Sequence, residues 1–326
     1  MQKNKISALS VIFFLLSSIT AAFPQQDGPV FDRVNPDSFL TQYFWREVVT
    51  LAPPKRPKVV LVLGGGGARG MAHIGVLKVL KEEGIPVDAI VGVSVGALVG
   101  ALYCAGVDPG KIETMSEEIG WDKLTNLSAP SLVGMIISEK LLSTENMEKY
   151  ISENIGNKQF YELTTPFACV ATDLKTGEKI IFREGDVASA ARASATIPGV
   201  FSPVEYRHRY LVDGGLVDNV PVDLAKMFNA DIIIAVDIKD DFSRNNTTNM
   251  MLILSQSIYI QAGMLSQESL KLADIVVTPS VSGVSTYELW RGRECIDAGI
   301  IATRKSIPQI KQMMMDRTFK WLLEHP

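Results

Sequence analysis

The tightest constraint on this chain is the succession of apolar and glycine-rich segments between residues 58 and 106. Lys58–Leu63 reads as a continuous apolar strand, and four glycines, Gly64 to Gly67, follow it directly. From Arg69 to Glu83 the residues Met71, Ile74, Leu77, Val79 and Leu80 recur at roughly helical spacing, and Gly84 closes the helix. Pro86 restarts the chain, Val87–Val93 reads as a second buried strand, and Val95–Ala105 as a second helix ended by Gly106. Asp108-Pro109 then caps a third helix, with proline in its first turn. Strands joined through crossover helices run parallel, so the pattern predicts an α/β fold with a mostly parallel central sheet.

Further strands are expected at Phe167–Thr172, Lys179–Arg183, Tyr206–Val212, Asp231–Val236 and Asp274–Thr278. Helices are expected at Thr144–Asn154, Val187–Ser194, Val220–Phe228, Asn249–Leu272 and Leu289–Met314. The segment 23–57 is interrupted by Pro24, Pro29, Pro36, Pro53, Pro54 and Pro57, with room for a short helix around Phe39–Val49. This gives one α/β domain over residues 58–305, an N-terminal extension over 23–57 and a C-terminal helical tail over 306–326.

The first 22 residues read as a secretory signal. Lys3 and Lys5 precede an apolar run of 14 residues from Ile6 to Ile19, and Thr20-Ala21-Ala22 supplies small residues for cleavage after Ala22. An uncleaved membrane tether is the competing reading, although a span needs about 20 apolar residues. The expected location is therefore periplasmic or secreted, with peripheral membrane association compatible with it. Without those 22 residues the chain carries 30 basic and 36 acidic side chains, a balance of −6. That argues against nucleic acid as a partner, since nucleic-acid binding needs a basic field. Cys104, Cys169 and Cys295 are odd in number, widely spaced and set among apolar residues, which predicts buried thiols while leaving one disulfide open. No metal-ligand spacing such as C-x-x-C occurs.

The turn Gly64-Gly65-Gly66-Gly67-Ala68-Arg69-Gly70 places backbone N–H groups at the start of a helix, a setting suited to an anion. Gly65, Gly67 and Gly70 also fit a dinucleotide fingerprint. That fingerprint expects an acid near the end of the second strand, where this chain has Ser94; Asp88 lies at that strand's start. No Gly-Lys-Ser/Thr follows the turn, so a phosphate-binding P-loop is excluded too. The reading is therefore against a nucleotide. A ligand-free tight turn accounts for one or two glycines, whereas four in succession mark close approach of the backbone to something.

Gly92-Val93-Ser94-Val95-Gly96 ends one strand and opens a helix, the setting of a nucleophilic serine on a sharp turn. The bland alternative is an N-capping serine. A serine hydroxyl needs a base, and the chain offers only His73, His208 and His325. Neither His73 nor His208 lies in the loop after a late strand that a Ser…Asp…His order requires. A carboxylate is the next candidate. In Tyr210-Leu211-Val212-Asp213-Gly214-Gly215, Asp213 ends a strand and two glycines let the backbone turn away, although an Asp-Gly hairpin turn explains the same residues.

Taken in order, the glycine loop, the Ser94 turn and the Asp213-Gly214-Gly215 turn resemble the patatin-like phospholipase family, most of all its bacterial members related to neuropathy target esterase. The similarity runs from about Val59 to Asp237 and takes in Ala193-Ser194-Ala195-Thr196-Ile197-Pro198-Gly199-Val200-Phe201. The resemblance implies a three-layer α/β/α sandwich. It implies a Ser94–Asp213 dyad without a catalytic histidine, and an oxyanion hole from the amides of Gly65, Gly66 and Gly67 with Arg69 at the motif's basic position. Gly70, Gly92, Gly96, Gly214 and Gly215 support those turns.

The implied activity is hydrolysis of phospholipid or lysophospholipid esters through an acyl-enzyme, with no metal or organic cofactor. An acyltransferase using the same acyl-enzyme, and a catalytically silent lipid-binding envelope protein, are the alternatives. Leu132–Ile137 and the stretch Met313–Leu323 are candidate acyl-chain or membrane contacts. For the latter, an interfacial helix and a packed core helix stand side by side. The lipid-covering segment differs among such proteins, and residues 120–145 have no matching motif here.

Overall fold

The computed structural model describes residues 36–120, 141–239 and 250–325. The signal segment, Leu132–Ile137 and most of 120–145 lie outside the described residues. The chain divides into two compact units, Pro57–Met314 and a smaller one combining residues up to Arg56 with Met315–Pro326.

In the larger unit, β1 (Val59–Leu63), β2 (Ala89–Val93), β3 (Phe167–Asp173), β7 (Ile232–Val236) and β8 (Ile275–Val277) form a parallel core in the order β3-β2-β1-β7-β8. The β-branched runs of β1, β2 and β7 are buried at every position, as strands covered on both faces require. Val60, Val62, Ala89, Val91, Ile233 and Ala235 face one layer, built on Val220, Val222, Leu224 and Ala225. Alternate residues face the other side, where Ile90 meets Gly100 of α3 (Val95–Cys104). Two helical layers on one sheet make the α/β/α sandwich.

Three antiparallel strands complete the sheet: β4 (Lys179–Phe182), β5 (Val204–Tyr206) and β6 (Arg209–Asp213). Val170 of β3 pairs with Val93 of β2 and Ile181 of β4, whereas Ala171 pairs with Asp213 of β6 and Ile180 of β4. One edge of β3 thus carries β4 from Cys169 to Thr172, and the other passes from β2 to β6 within a single residue step. Because β2 runs parallel to β3 and β6 antiparallel, the C-terminal ends of β2 and β6 meet head on.

Several expected elements differ in detail. The strand expected at Tyr206–Val212 is a hairpin: Arg207 and His208, with φ of 48° and 64°, form a two-residue turn between β5 and β6. A turn of this hand is unusual without Gly or Asn, which is why the sequence reads through it. The helix after the glycines starts as a 3₁₀ turn, Gly67–Met71, before α2 (Ala72–Glu82), and Val222–Phe228 is 3₁₀ rather than α. This unit also holds α4 (Pro109–Glu117), α5 (Glu145–Ile155), α6 (Val187–Ser194) and α7 (Met250–Leu270). Asp108 caps α4 as expected, accepting from the Gly110 N–H at 2.8 Å.

The last helix, α8 (Gly292–Glu324), carries Pro308 inside it and continues past residue 305 without a break. Met314 is fully buried, and within the smaller unit Phe319 meets Phe44 of α1 (Pro36–Thr50) edge-on at 6.4 Å. Both positions follow the packed-helix reading, and Leu323 alone among the apolar residues of that stretch is well exposed. Among the described residues no helix is long and apolar enough to cross a membrane. All three cysteines are buried free thiols.

α2 and α8 cross at two glycines. A Cβ on Gly299 would lie 2.1 Å from the Ala72 carbonyl, and one on Gly75 would lie 2.1 Å from the Ile296 carbonyl. Only backbone stands opposite, so no side chain can yield. Gly299→Ala is expected to cost about 1–3 kcal/mol by forcing the helices apart, measured as a lower urea midpoint at unchanged slope.

Candidate active site

Ser94 occupies the junction between β2 and α3 with φ 54° and ψ −127°, a conformation costly for any residue with a Cβ, by about 1–3 kcal/mol. Its carbonyl accepts the Ala97 and Leu98 amides at 2.9 and 3.1 Å, and so opens the helix. Its side chain makes no capping bond, which sets aside the N-cap reading. The flanking glycines are needed for space. A Cβ on Gly96 would lie 2.3 Å from the Leu63 carbonyl, one on Gly92 2.7 Å from Ala97 Cα, and one on Gly70 1.8 Å from Val95.

The strain at Ser94 is held by Ser194 at the end of α6. The Ser94 N–H donates to Ser194 Oγ at 3.0 Å, and that hydroxyl donates to the Val170 carbonyl at 2.6 Å. Ser194 was not singled out as a site residue by the sequence. The only signal is a polar side chain in an alanine-rich helix facing the core.

Asp213 stands at the opposing strand end. Its N–H donates to the Thr196 carbonyl at 2.8 Å, and the Thr172 hydroxyl donates to its carbonyl at 2.8 Å. The Gly215 N–H reaches its carboxylate Oδ1 at 2.8 Å, and Ser94 lines the same pocket as this carboxylate. The residues that follow form a 3₁₀ turn, Gly214–Leu216, rather than a hairpin loop. Burial pushes the Asp213 carboxyl up to about 6, against the lowering influence of the Ser94 and Gly215 hydrogen bonds.

The glycine loop lies across the same pocket, but its members do different things. The Gly65 N–H is already engaged by the Asn219 carbonyl at 3.0 Å. Of the three amides expected to form an oxyanion hole, only those of Gly66 and Gly67 meet no acceptor among the described residues. The expectation for Arg69 also needs correcting. Its guanidinium is buried, donating to Thr286 Oγ1 at 2.9 Å and to the Gly66 carbonyl at 3.4 Å. In a trans peptide the N–H points opposite the preceding C=O, so holding the Gly66 carbonyl aims the Gly67 N–H the other way. Arg69 positions the loop instead of binding an anion directly.

His73 has a comparable role. Its Nε2 lies 2.7 Å from the Gly64 carbonyl, an acceptor, so Nε2 carries the proton. Burial lowers the imidazole to about 4 and keeps it neutral. His208 sits exposed in the β5–β6 turn and His325 is exposed near the C-terminus, so no histidine adjoins Ser94 among the described residues.

Asn219 completes the site and went unnoticed in the sequence, hidden between Asp218 and Val220. A Cβ on Gly65 would lie 2.3 Å from its Oδ1, so the amide packs flat on the glycine loop. Lys179 holds the neighbouring Asp218 and Asp223 at 2.9 and 3.0 Å and tethers this segment to β4. The pocket bounded by Gly66, Ser94, Asp213, Gly215 and Asn219 has about 20 Å³ of free space, enough for one water, and Ile258 and Ala262 of α7 also line it.

A family model described as patatin-like phospholipase matches residues 61–226. That is half of the chain and spans the loop, the serine turn and the aspartate turn: the chain belongs to the patatin-like phospholipase family. It is 37% identical over 190 residues to an uncharacterized NTE family protein of Mycobacterium bovis, covering 56% of this chain and 49% of that one. It is 34% identical over 183 residues to human patatin-like phospholipase domain-containing protein 6, covering 55% of this chain and 13% of that one. The chain therefore spans about half the length of the mycobacterial relative and far less of the human one. Among solved structures, VipD from Legionella pneumophila matches with TM-score 0.49 and 14% identity over 80% of this chain and 67% of that one. Human GIVD cytosolic phospholipase A2 matches with TM-score 0.46 and 12% identity over 86% and 63%.

Two expected outcomes follow from this geometry. Ser194→Ala removes the acceptor of the buried Ser94 N–H, and should cost about 1–3 kcal/mol in urea unfolding. Asp213 binds its proton more tightly in the native chain than when unfolded, so its contribution to stability falls as pH rises from about 4 through about 6. Asp213→Asn should therefore raise the melting temperature at pH 8 by relieving up to about 3 kcal/mol, and change it little at pH 4.

Proposed function

We propose that the chain is a lipid acyl hydrolase that cleaves carboxylic esters of phospholipids or lysophospholipids through Ser94 and Asp213. The observation that carries this reading is the meeting of the Ser94 side chain and an Asp213 carboxylate of raised basicity in one pocket, beside two amides that meet no acceptor among the described residues.

In this reading Ser94 Oγ attacks the ester carbonyl carbon while its proton passes to Asp213. The carbonyl oxygen becomes an oxyanion held by the Gly66 and Gly67 N–H groups, each worth about 3–4 kcal/mol in comparable sites. The intermediate collapses, the C–O bond to the alcohol breaks, and Asp213 returns the proton to the leaving oxygen. Water then attacks the acyl-enzyme, Asp213 takes one of its protons, and the fatty acid departs as the proton returns to Ser94. The strained Ser94 backbone holds the nucleophile in place before substrate arrives. An acyl chain does not fit into 20 Å³, so entry of lipid needs the pocket to widen, and Ile258 and Ala262 of α7 stand on its wall. Export, with cleavage after Ala22, belongs to the same proposal.

Ser94→Ala is expected to abolish both ester hydrolysis and labelling by a fluorophosphonate; retention of both rejects the serine. Asp213→Asn is expected to lose turnover while melting cooperatively. For the native chain, kcat/KM should rise with pH through an apparent pKa near 6, as Asp213 must be ionised to act as base. A rate that stays flat from pH 4 to pH 8 rejects this carboxylate as the base.

A further inference from the structure

Behind the glycine loop lies a second cavity of about 460 Å³, within the size range of small-molecule sites. It shares Gly65, Gly66 and Asn219 with the Ser94 pocket, and α7 lines both. Three polar side chains besides Asn219 face it: Asp237, Lys239 and Gln267.

Asp237 follows β7 directly, and its N–H donates to the Val277 carbonyl at 3.0 Å. The residue is only 7% exposed, and among the described residues no donor reaches its carboxylate. Burial raises its pKa, opposed by the charge of nearby Lys239. A carboxylate this little exposed, facing a cavity and meeting no protein donor among the described residues, is free to accept from the donors of a ligand. Lys239 is exposed beside the same cavity, leaving a carboxylate within and an ammonium at the rim.

We propose that this cavity receives a phosphodiester head group bearing a primary ammonium, with Asp237 binding the ammonium and Lys239 the phosphate. The proposal rests on the lipid hydrolase reading and assigns its substrate class. The shared wall of Gly65, Gly66 and Asn219 lets one lipid present its ester at Ser94 and its head group here. A primary ammonium donates the N–H bonds that the Asp237 carboxylate lacks. A quaternary ammonium has none to give. A phosphoglycerol head group carries no cation to meet Asp237.

The test compares phosphatidylethanolamine with phosphatidylglycerol of identical acyl chains in detergent micelles. The native chain is expected to favour the ethanolamine lipid in kcat/KM, and Asp237→Asn to reduce that preference about tenfold, the worth of a charge-assisted hydrogen bond. The ratio is taken on one sample, so loss of folded protein cancels. Lys239→Met is expected to lower kcat/KM for both lipids. An absent preference, or one that survives Asp237→Asn, overturns the proposal.

A second arm needs no turnover. Glycerophosphoethanolamine is titrated calorimetrically into Ser94→Ala, with and without Asp237→Asn. Binding that disappears with the second substitution is expected; no binding, or equal binding, overturns the site. Asp237-dependent binding by a chain that hydrolyses no ester would leave the head-group site standing and remove the hydrolase reading. Ser94-dependent hydrolysis without head-group discrimination or binding would do the reverse.

Discussion

One edge of β3 organises this molecule. Between Val170 and Ala171 that edge passes from β2 to β6, so two strands of opposite direction end against each other. The sheet is continuous except at this seam, and the seam is where Ser94 and Asp213 stand. Strand pairing fixes the backbone to within a fraction of an ångström, so the two side chains inherit a geometry that no flexible loop has to provide. Close packing supports it: a Cβ on Gly214 would lie 2.2 Å from the Val170 carbonyl, directly at the seam.

Burying the seam sets its chemistry. A carboxylate removed from water is a stronger base, and Asp213 is kept from full neutralisation by the Gly215 amide and the Ser94 hydroxyl. The same burial governs the glycine loop. His73 holds the Gly64 carbonyl and Arg69 the Gly66 carbonyl, so two buried side chains from the helical segment after β1 orient alternate peptides of the glycine loop. Charge at Arg69 therefore acts at one remove, through the backbone it holds.

Much of the fold was legible from residues alone. The apolar runs of β1, β2 and β7 cannot be stable unless covered on both faces, and glycines at 64–67, 84 and 106 mark where each run must turn. Ser94 and Asp213 were legible because each ends a strand beside glycines that only a crowded turn demands. The Arg207–His208 turn was hidden by its side chains, and the 3₁₀ course of Val222–Phe228 by an ordinary helical pattern. Ser194 and Asn219 were invisible for a different reason: their partners lie 100 residues or more away in the chain, at Ser94 and Gly65. The Asp237 cavity belongs with them, since its walls come from the glycine loop, the Asn219 segment, the end of β7 and α7.

Local sequence by itself determined the parallel strands, the sharp turns and the placement of Ser94 and Asp213 at strand ends, because hydrophobic period and glycine placement act over a few residues. Tertiary structure decided which amides stay without acceptors, what Arg69 and His73 hold, how basic Asp213 is and where a buried acid is left without a donor. Those outcomes depend on burial and on contacts between distant segments, and neither exists until the chain has folded.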